Sequence, residues 1–321
     1  MDIEVLKRAY EREKQRRKLA EKTLEEKSRE LFLSYEKLDQ SHKQLELTHD
    51  SLQKHQKELV ALINAYASVT DDLHLAAKLQ SDLLPEPLTN STHSALGYFQ
   101  PASFVAGDAY DYFNLTEDVF AYYIIDVEGH GTASAMTSFA IHSQLNPKYD
   151  GMCYRNLQTH QTHSEAVCAT VSALNTTFYN RNSSNKYFTM IYGLLDLKTG
   201  DHTWCQAGHP ALTVISDNEI TEIGDGGFPV GTLEQPVFEA TTHSLQPGDR
   251  VAVYSDGAIE CFSSHEEAFG KARLYDLLVQ TAELTQAECV ERIRNTLLEW
   301  NGSDEFSDDV TLLLIDYSGP R

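Results

Sequence analysis

The stretch YIIDVEGHG, residues 123–131, runs from apolar residues typical of a strand directly into a carboxylate and a glycine-rich turn. Asp126 and Glu128 lie where the strand is expected to end, and two glycines follow with a histidine between them. This pattern is compatible with an ordinary turn, with a phosphate-binding loop or with a metal site. The choice among the three depends on what the rest of the chain brings to the same place.

Charge is distributed unevenly along the 321 residues, whose formal net charge is -22. Residues 1–60 hold 14 basic and 13 acidic residues, which leaves 12 basic and 35 acidic residues in 61–321. The acidic excess therefore lies in the later part of the chain, which predicts repulsion of nucleic acids and of anionic membrane surfaces. A polyanionic substrate would need a bound cation that reverses the field locally.

Five cysteines are scattered through the sequence, and the two closest are 15 residues apart. Because no C-x-x-C pair occurs, free thiols in a reducing compartment are expected rather than a disulfide framework. The first residues lack an apolar signal segment, and no apolar run reaches membrane-spanning length. These features predict a cytoplasmic protein without membrane insertion.

A leucine ladder characterises the first part of the chain, which contains neither glycine nor proline up to residue 60. The ladder repeats every seven residues and consists of Leu24, Leu31, Leu38, Leu45, Leu52 and Leu59. A seven-residue apolar repeat is the period of a left-handed coiled coil. The a positions between the leucines are mostly polar, so the ladder predicts a weak parallel homodimer, with a long solvated single helix as the alternative.

The helical pattern ends at Pro85 and Pro87, because proline restricts the residue before it. Segment 1–75 is therefore predicted to be a coiled-coil, dimerisation and regulatory helix, and 76–321 a separate domain. In that domain, short apolar runs come mostly in neighbouring pairs, separated by turns such as LKTGD and LQPGD. This favours an antiparallel α+β fold over a doubly wound parallel sheet. Helix-like segments lie at 131–145, 163–180, 266–280 and 285–300.

Four carboxylate clusters stand beside apolar runs or glycines. They are Asp108 with Asp111, Asp126 with Glu128, Asp256 with Glu260, and Asp308 with Asp309. If antiparallel strands bring their ends together, these carboxylates would repel one another and resist ionisation. One or two divalent cations relieve such repulsion, and oxygen ligands suit magnesium or manganese. Two cations can also generate a hydroxide and stabilise a displacement at phosphorus.

A Walker-type phosphate loop is excluded for residues 123–131, because it requires a lysine after its second glycine. No lysine or arginine occurs between Lys78 and Lys148. A zinc site is disfavoured as well, since His130 has no cysteine or second histidine nearby. A phosphoryl group bound here is therefore expected to have no cationic side chain close to it, so that metal would supply the positive charge.

Seven segments in a fixed order resemble the PPM family of metal-dependent Ser/Thr protein phosphatases, in its bacterial SpoIIE/RsbU branch. The resemblance runs from about residue 76 to 318 and is carried by LQSDLLP, FQPASFVAGDAYDYF, DVEGHGTASAM, AGHPAL, GFPVG, LQPGDRVAVYSDGAIE and SDDVTLLLI. Each segment alone is a weak signal, whereas their common order is specific. The resemblance implies an α+β fold, a four-layer α-β-β-α sandwich of two antiparallel sheets flanked by helices, preceded by a long N-terminal coiled-coil helix.

The resemblance also implies a centre of two manganese or magnesium ions. Asp126 would bridge both ions, and the Val127 carbonyl would contribute to one of them. Asp108 would support the second ion, and Asp256 and Asp308 would complete the surroundings of the first, directly or through water. Asp126 and Asp108 are the catalytic candidates.

Other residues of these segments are expected to have supporting roles. Asp309 is the less favoured ligand of its pair, and fixing the turn suits it equally well. Glu128 is expected to face solvent, and Asp111 to be structural. His130 stands two places later than the histidine that follows the D-G step in eukaryotic members, which favours a loop-shaping role over that of a general acid.

The implied function is that of a phosphoserine/phosphothreonine protein phosphatase in bacterial signalling, acting on a phosphorylated anti-sigma-factor antagonist of the STAS type. Because no sensor is recognised in 1–75, an upstream partner is expected to bind the coiled coil. A catalytically silent coiled-coil scaffold is the alternative, although a scaffold has no need to keep all four aspartates of the implied centre. A nucleotide-hydrolysing metalloenzyme is disfavoured, since no base-binding or phosphate-clamp signature occurs.

Overall fold

The computed structural model describes residues 3–129, 131–146, 151–181 and 186–320. The chain divides into two units, Met1–Asp71 and Asp72–Arg321. Helix α1, Ile3–Ser81, forms the described part of the first unit and contributes its last residues to the second. No helix in the described ranges is both long and apolar enough to cross a membrane.

In the first unit, every described residue up to Val69 is exposed. The leucines of the ladder are 57% to 70% exposed, so they form an apolar stripe on the single helix. Ion pairs one turn apart, such as Lys43 with Asp39 at 2.7 Å, lie in solvent and stabilise the helix only slightly. The long helix is thus confirmed, and its pairing into a coiled coil stays a prediction.

The second unit contains two sheets, and every ladder between its described strands is antiparallel. In spatial order, the first sheet consists of β1 (Leu88–Thr89), β2 (His93–Gln100), β11 (Val310–Tyr317), β10 (Arg250–Tyr254), β7 (Leu212–Ser216) and β8 (Glu219–Ile223). The second consists of β3 (Ala109–Asn114), β4 (Val119–Val127), β5 (Phe188–Asp196), β6 (Asp201–Ala207) and β9 (Ala240–Ser244). The predicted antiparallel α+β class is confirmed.

Three apolar clusters separate four layers. One lies between the second sheet and three helices, namely α2 (Thr132–Leu145), α3 (Met152–Thr159) and α4 (His163–Arg181). Another fills the space between the two sheets. The remaining cluster packs the first sheet against α5 (Gly270–Gln280) and α6 (Gln286–Asn301). The layers therefore follow the order α-β-β-α, as the family resemblance implies.

Two helical details differ from the sequence prediction. The sequence pattern does not predict α3, which has a single fully buried residue, Cys153. Helix α5 begins at Gly270 rather than at Glu266, because Glu266 has φ 61° and Gly270 has φ 81°. A positive φ does not continue a right-handed helix, so residues 266–269 form a turn and Gly270 is the first residue of α5.

Strand register brings the carboxylate-bearing segments to one end of the two sheets. Asp108 directly precedes β3, and its neighbour Ala109 lies opposite Ile125 of β4. Asp126 is the second-last residue of β4. In the first sheet, Asp256 follows the end of β10, and Asp308 precedes the start of β11, which pairs with β10. The predicted meeting of strand ends therefore occurs.

Helix α6 offers a direct test of the local energetics of the second unit. Thr285 caps the helix: its side chain accepts a hydrogen bond from the backbone N–H of Glu288, whose carboxylate accepts one from the backbone N–H of Thr285 at 3.0 Å. Thr285→Ala removes the cap and should cost about 1 kcal/mol. For a domain of this size, we expect the melting temperature to fall by about 2–4 °C in calorimetry.

Thr296→Ala is the control, because Thr296 lies inside the same helix and donates only to the carbonyl of Arg292. Alanine has the higher helix propensity, so this variant should melt at the wild-type temperature or slightly above it. Equal melting temperatures for Thr285→Ala and wild type would show that the cap contributes nothing to the fold.

Candidate metal centre

Asp108 connects the two sheets. It is 2% exposed, and its Oδ2 accepts a hydrogen bond of 2.6 Å from the Thr311 hydroxyl of β11. Burial is the largest cause that raises the pKa of Asp108 well above its usual value, and repulsion from Asp126 is the next. The side chain thus lies beside Asp126 in the space between the sheets.

Asp126 experiences the largest set of neighbouring carboxylates. Burial raises the pKa of Asp126 to about 7, and repulsion adds to the effect, from Asp256, Asp308, Asp309 and Glu260 in decreasing order. Each of these neighbours comes from the first sheet or its connections, whereas Asp126 ends a strand of the second. The two sheets therefore bring like charges together from opposite sides, as expected for an anionic site that binds cations.

Asp256 and Asp308 come together because the backbones of the residues that follow them, Gly257 and Asp309, are in close contact. A Cβ on Gly257 would lie 2.0 Å from the carbonyl oxygen of Asp309, so no side chain fits at that position. Ser255 strengthens the contact, since its hydroxyl donates to the same carbonyl at 3.3 Å. The pKa of Asp256 is raised to about 6, first by burial and second by repulsion from the negative charge of Asp308.

The hydrogen bonds of Asp309 are those of a residue that fixes a turn. Its two carboxylate oxygens accept hydrogen bonds from the backbone N–H groups of Ala102, at 2.8 Å, and Gly107, at 2.7 Å. The neighbouring Asp308 is exposed, and its Oδ1 accepts from the backbone N–H of Asp309 at 2.8 Å. Asp309 therefore fastens the loop before Asp108 to the start of β11, while Asp308 remains open to solvent.

Gly107 lets this loop approach the end of β4. A Cβ built on Gly107 would lie 2.7 Å from the carbonyl oxygen of Val127 and 3.1 Å from that of Gly129. Any larger residue would push the loop away from the strand end, and Asp108 would move with it. The Val127 side chain is buried, and its carbonyl faces this contact.

A lysine that the sequence analysis did not predict lies beside the turn that follows Asp126. Lys186 donates from Nζ to the carbonyl of Glu128 at 3.0 Å and to the Ser134 hydroxyl at 2.7 Å. The prediction that no cationic side chain lies near residues 123–131 was therefore wrong. Because β5 pairs with β4, the residues just before β5 lie next to the end of β4, although Lys186 and Glu128 are 58 residues apart in sequence.

Three further residues were given supporting roles in the sequence analysis. Glu128 is exposed. Asp111 is buried and accepts hydrogen bonds from the Tyr112 backbone at 2.8 Å and from Asn146 Nδ2 at 3.0 Å, which is a structural arrangement. His130 lies outside the described residues.

The donor set fits hard divalent cations. Among the described residues, no group of three or more His, Cys, Asp or Glu side chains is arranged so that it could hold a metal ion as it stands. Binding would therefore require the carboxylates to lose their protons and draw closer together. Carboxylate and carbonyl oxygens are the ligands that magnesium and manganese prefer, and a cation would remove the repulsion that raises these pKa values.

Residues 116–318 match the family model described as Stage II sporulation protein E (SpoIIE). The phosphoserine phosphatase RsbP of Bacillus subtilis (strain 168) is 26% identical over 246 residues, which are 76% of this chain and 57% of RsbP. This chain thus spans little more than half of that relative.

Two solved structures share the fold. The SiaA-PP2C domain of Pseudomonas aeruginosa superposes with a TM-score of 0.67 at 19% identity, over 79% of this chain and 98% of that one. RsbX in complex with magnesium has a TM-score of 0.51 at 16% identity, over 73% and 99%. The family model matches more than half of the chain, and the two-sheet architecture agrees with the solved structures, so this chain belongs to the family described as Stage II sporulation protein E (SpoIIE).

Proposed function

We propose that this chain is a metal-dependent phosphoserine/phosphothreonine protein phosphatase. The observation that carries the proposal is the meeting of Asp108 and Asp126 from one sheet with Asp256 and Asp308 from the other, in a domain of the SpoIIE family. The relative RsbP, a phosphoserine phosphatase, supports the choice of reaction.

The proposed ligands of two manganese or magnesium ions are the side chains of Asp108, Asp126, Asp256 and Asp308 and the carbonyl of Val127. The magnesium complex of RsbX, a protein of the same fold, supports this class of metal. When bound, two such cations would supply hydroxide at neutral pH and positive charge for the phosphoryl group. Asp126 and Asp108 are the proposed catalytic residues, because burial is the first cause that raises the pKa of each and the two carboxylates are neighbours.

The remaining residues would keep these groups in place. Asp309 holds the loop that carries Asp108 through two backbone N–H groups. Lys186 binds the carbonyl of Glu128 in the turn after Asp126, where its positive charge offsets part of the local acidity. The substrate's phosphoryl group would approach from the side on which Asp308 is open to solvent.

We further propose a phosphorylated bacterial signalling protein of the STAS type as substrate, and a cytoplasmic location. The family resemblance supports the substrate class, since RsbP is a phosphoserine phosphatase. Five free cysteines support a reducing compartment. The excess of acidic residues in 61–321 disfavours nucleic acid as a partner.

Regulation through segment 1–75 is the last part of the proposal, with 76–321 as the phosphatase domain. The exposed leucine stripe supports a homodimeric coiled coil, which an upstream sensor protein would bind. Gln80 supports a link to the site, because its amide donates to the carbonyl of Ala106 at 2.9 Å and accepts from its N–H at 3.0 Å. Ala106 lies two residues before Asp108, so a shift of the helix around Leu73 to Leu84 would move the ligand loop.

Asp126→Asn should abolish hydrolysis of an aryl phosphate at saturating manganese. An amide neither bridges two cations nor neutralises them, so we expect less than a hundredth of wild-type turnover. Asp276→Asn removes an exposed carboxylate from α5 and should leave turnover unchanged. Retention of a tenth of the activity by Asp126→Asn would contradict the bridging role, and an inactive wild type that still dimerises would favour the scaffold alternative.

In EDTA, Asp126→Asn should also change the pH dependence of stability. The pKa of Asp126 is raised to about 7, so the protonated form stabilises the fold fully below about pH 4, and this contribution is lost as the pH rises towards 7. The amide cannot ionise. The melting temperature of the variant relative to wild type should therefore rise between pH 4.5 and pH 7.5 in calorimetry.

At pH 7.5, manganese should raise the melting temperature of the wild type above that of Asp126→Asn. A hundred-fold excess over the dissociation constant stabilises the wild type by about 2.7 kcal/mol. The variant should gain far less. Identical wild-type melting curves in EDTA and in millimolar manganese would contradict a metal centre in the folded domain, whereas Asp276→Asn should follow the wild type in both solutions.

The double variant Leu38→Asp/Leu45→Asp tests whether the leucine ladder forms a dimer, because it places charges at two central d positions. An unpaired carboxylate is costly to bury, so the double variant should sediment as a monomer while the second unit keeps its melting temperature. The matched control is Leu33→Asp with Leu47→Asp, at the f positions of the heptads that contain Leu31 and Leu45. A dimeric ladder variant would contradict the heptad interpretation, and a monomer with unchanged turnover would remove the regulatory role.

A further inference from the structure

The segment AGHPAL, residues 207–212, has no role in the centre described so far. It connects β6 to β7 and contains His209, which is 2% exposed. His209 Nδ1 shares a hydrogen bond of 2.8 Å with the hydroxyl of Thr189, while Nε2 has no hydrogen-bond partner among the described residues. Burial lowers the pKa of His209 to about 3, opposed by the backbone of Tyr254, so the imidazole is neutral at physiological pH.

The loop around His209 is held firmly. Gln206 donates from Nε2 to the carbonyl of His209 at 2.6 Å, and its Oε1 accepts from the backbone N–H of Gly226 at 3.1 Å. Gly208 has φ 71°, and a Cβ there would lie 2.6 Å from the ring of Pro229. These contacts fix the backbone that carries the imidazole, and the hydrogen bond with Thr189 holds the ring itself.

Thr189 lies next to the centre. It is directly opposite Asp126 in the β4–β5 ladder. Directly opposite residues of an antiparallel pair project from the same face, with Cβ atoms about 4.5–5.5 Å apart. The side chain of Thr189 therefore limits the space that is open to the Asp126 carboxylate. The hydrogen bond with His209 fixes the Thr189 hydroxyl, and a β-branched side chain whose hydroxyl is fixed has a single rotamer.

His209 also faces the other sheet. Tyr254, whose backbone acts on the imidazole, ends β10 two residues before Asp256. The imidazole thus contacts Thr189 of β5, the neighbour of the strand that carries Asp126, and the end of β10, just before Asp256. A buried imidazole at this junction is a poor choice for packing alone, because burial removes its two ring nitrogens from water.

We propose that His209 is a positioning residue, which orients the Asp126 carboxylate for a divalent cation by fixing the rotamer of Thr189. The inference rests on the proposed metal-dependent function and adds to it a second layer of residues around the ligands. Groups that orient metal ligands typically change metal affinity by 10- to 100-fold when they are removed. The effect should therefore appear in metal binding and not only in turnover.

The experiment measures manganese affinity by titration calorimetry on the metal-free full chain, with the melting temperature in EDTA as a measure of folding. Thr189→Val keeps the shape of the side chain and removes the hydroxyl, and His209→Leu removes both ring nitrogens. Each should weaken manganese binding about tenfold, and the double variant should bind no more weakly than the weaker single one. His209→Asn keeps a polar atom near the place of Nδ1 and should bind within about threefold of wild type.

His202→Leu is the matched control. His202 is also buried, at 1% exposed, its pKa is also lowered by burial to about 3, and it shares a hydrogen bond with a hydroxyl, that of Tyr122 at 2.8 Å. Its partner belongs to the cluster between the sheets and not to the centre. His202→Leu should therefore lower the melting temperature as His209→Leu does, but leave manganese affinity at the wild-type value.

The outcomes separate the two claims. A wild type that does not bind manganese overturns the proposed function and this inference with it. If the wild type binds manganese and the Thr189→Val and His209→Leu variants bind it with the wild-type affinity, the inference alone is overturned and His209 is a packing residue. Should His209→Leu fail to fold, Thr189→Val decides, because Thr189 is only half-buried and valine fits its strand position.

Discussion

Repulsion among carboxylates at the facing ends of two sheets is the constraint on which the centre depends. Asp108 and Asp126 come from the second sheet, and Asp256 and Asp308 from the first. Burial and the proximity of like charges raise the pKa values of Asp108, Asp126 and Asp256 above those of ordinary carboxyl groups, which ionise near pH 4. Such an arrangement opposes folding whenever the groups are charged. It is understandable in a domain that gains a cation, because the cation converts the repulsion into attraction.

The backbone, more than the side chains, imposes this proximity. Gly107 and Gly257 occupy positions where a Cβ would meet a carbonyl oxygen at 2.7 Å and 2.0 Å. Asp309 adds two hydrogen bonds to the loop before Asp108. Of two adjacent aspartates, one therefore serves as a fastener and the other remains available as a ligand, although they are chemically identical. Their difference arises entirely from which backbone N–H groups each can reach.

This explains how far the sequence could lead. Paired apolar runs, strand-end carboxylates and the period of the ladder are local patterns. They predicted the antiparallel class, the convergence of the carboxylates at one end and the long first helix. The roles of Asp309 and Lys186 depend on contacts across 202 and 58 residues, which only strand register determines. The helix of Met152–Thr159 was missed for a different reason: eight residues make little more than two turns, which is too short for an apolar pattern to repeat clearly.

The loop before Asp108 is held from two sides that differ in character. Asp309 holds it from the start of β11, which pairs over its whole length with β2 and is therefore a rigid support. Gln80 holds it from the last turns of α1, where neighbouring Leu79 is 58% exposed. A perturbation of the helix can reach Asp108 through Gln80, while Asp309 keeps the far end of the loop in place. The loop would then pivot rather than detach, so the proposed regulation would change the distance between Asp108 and Asp126, whose charge is one of the causes that raise the pKa of Asp108.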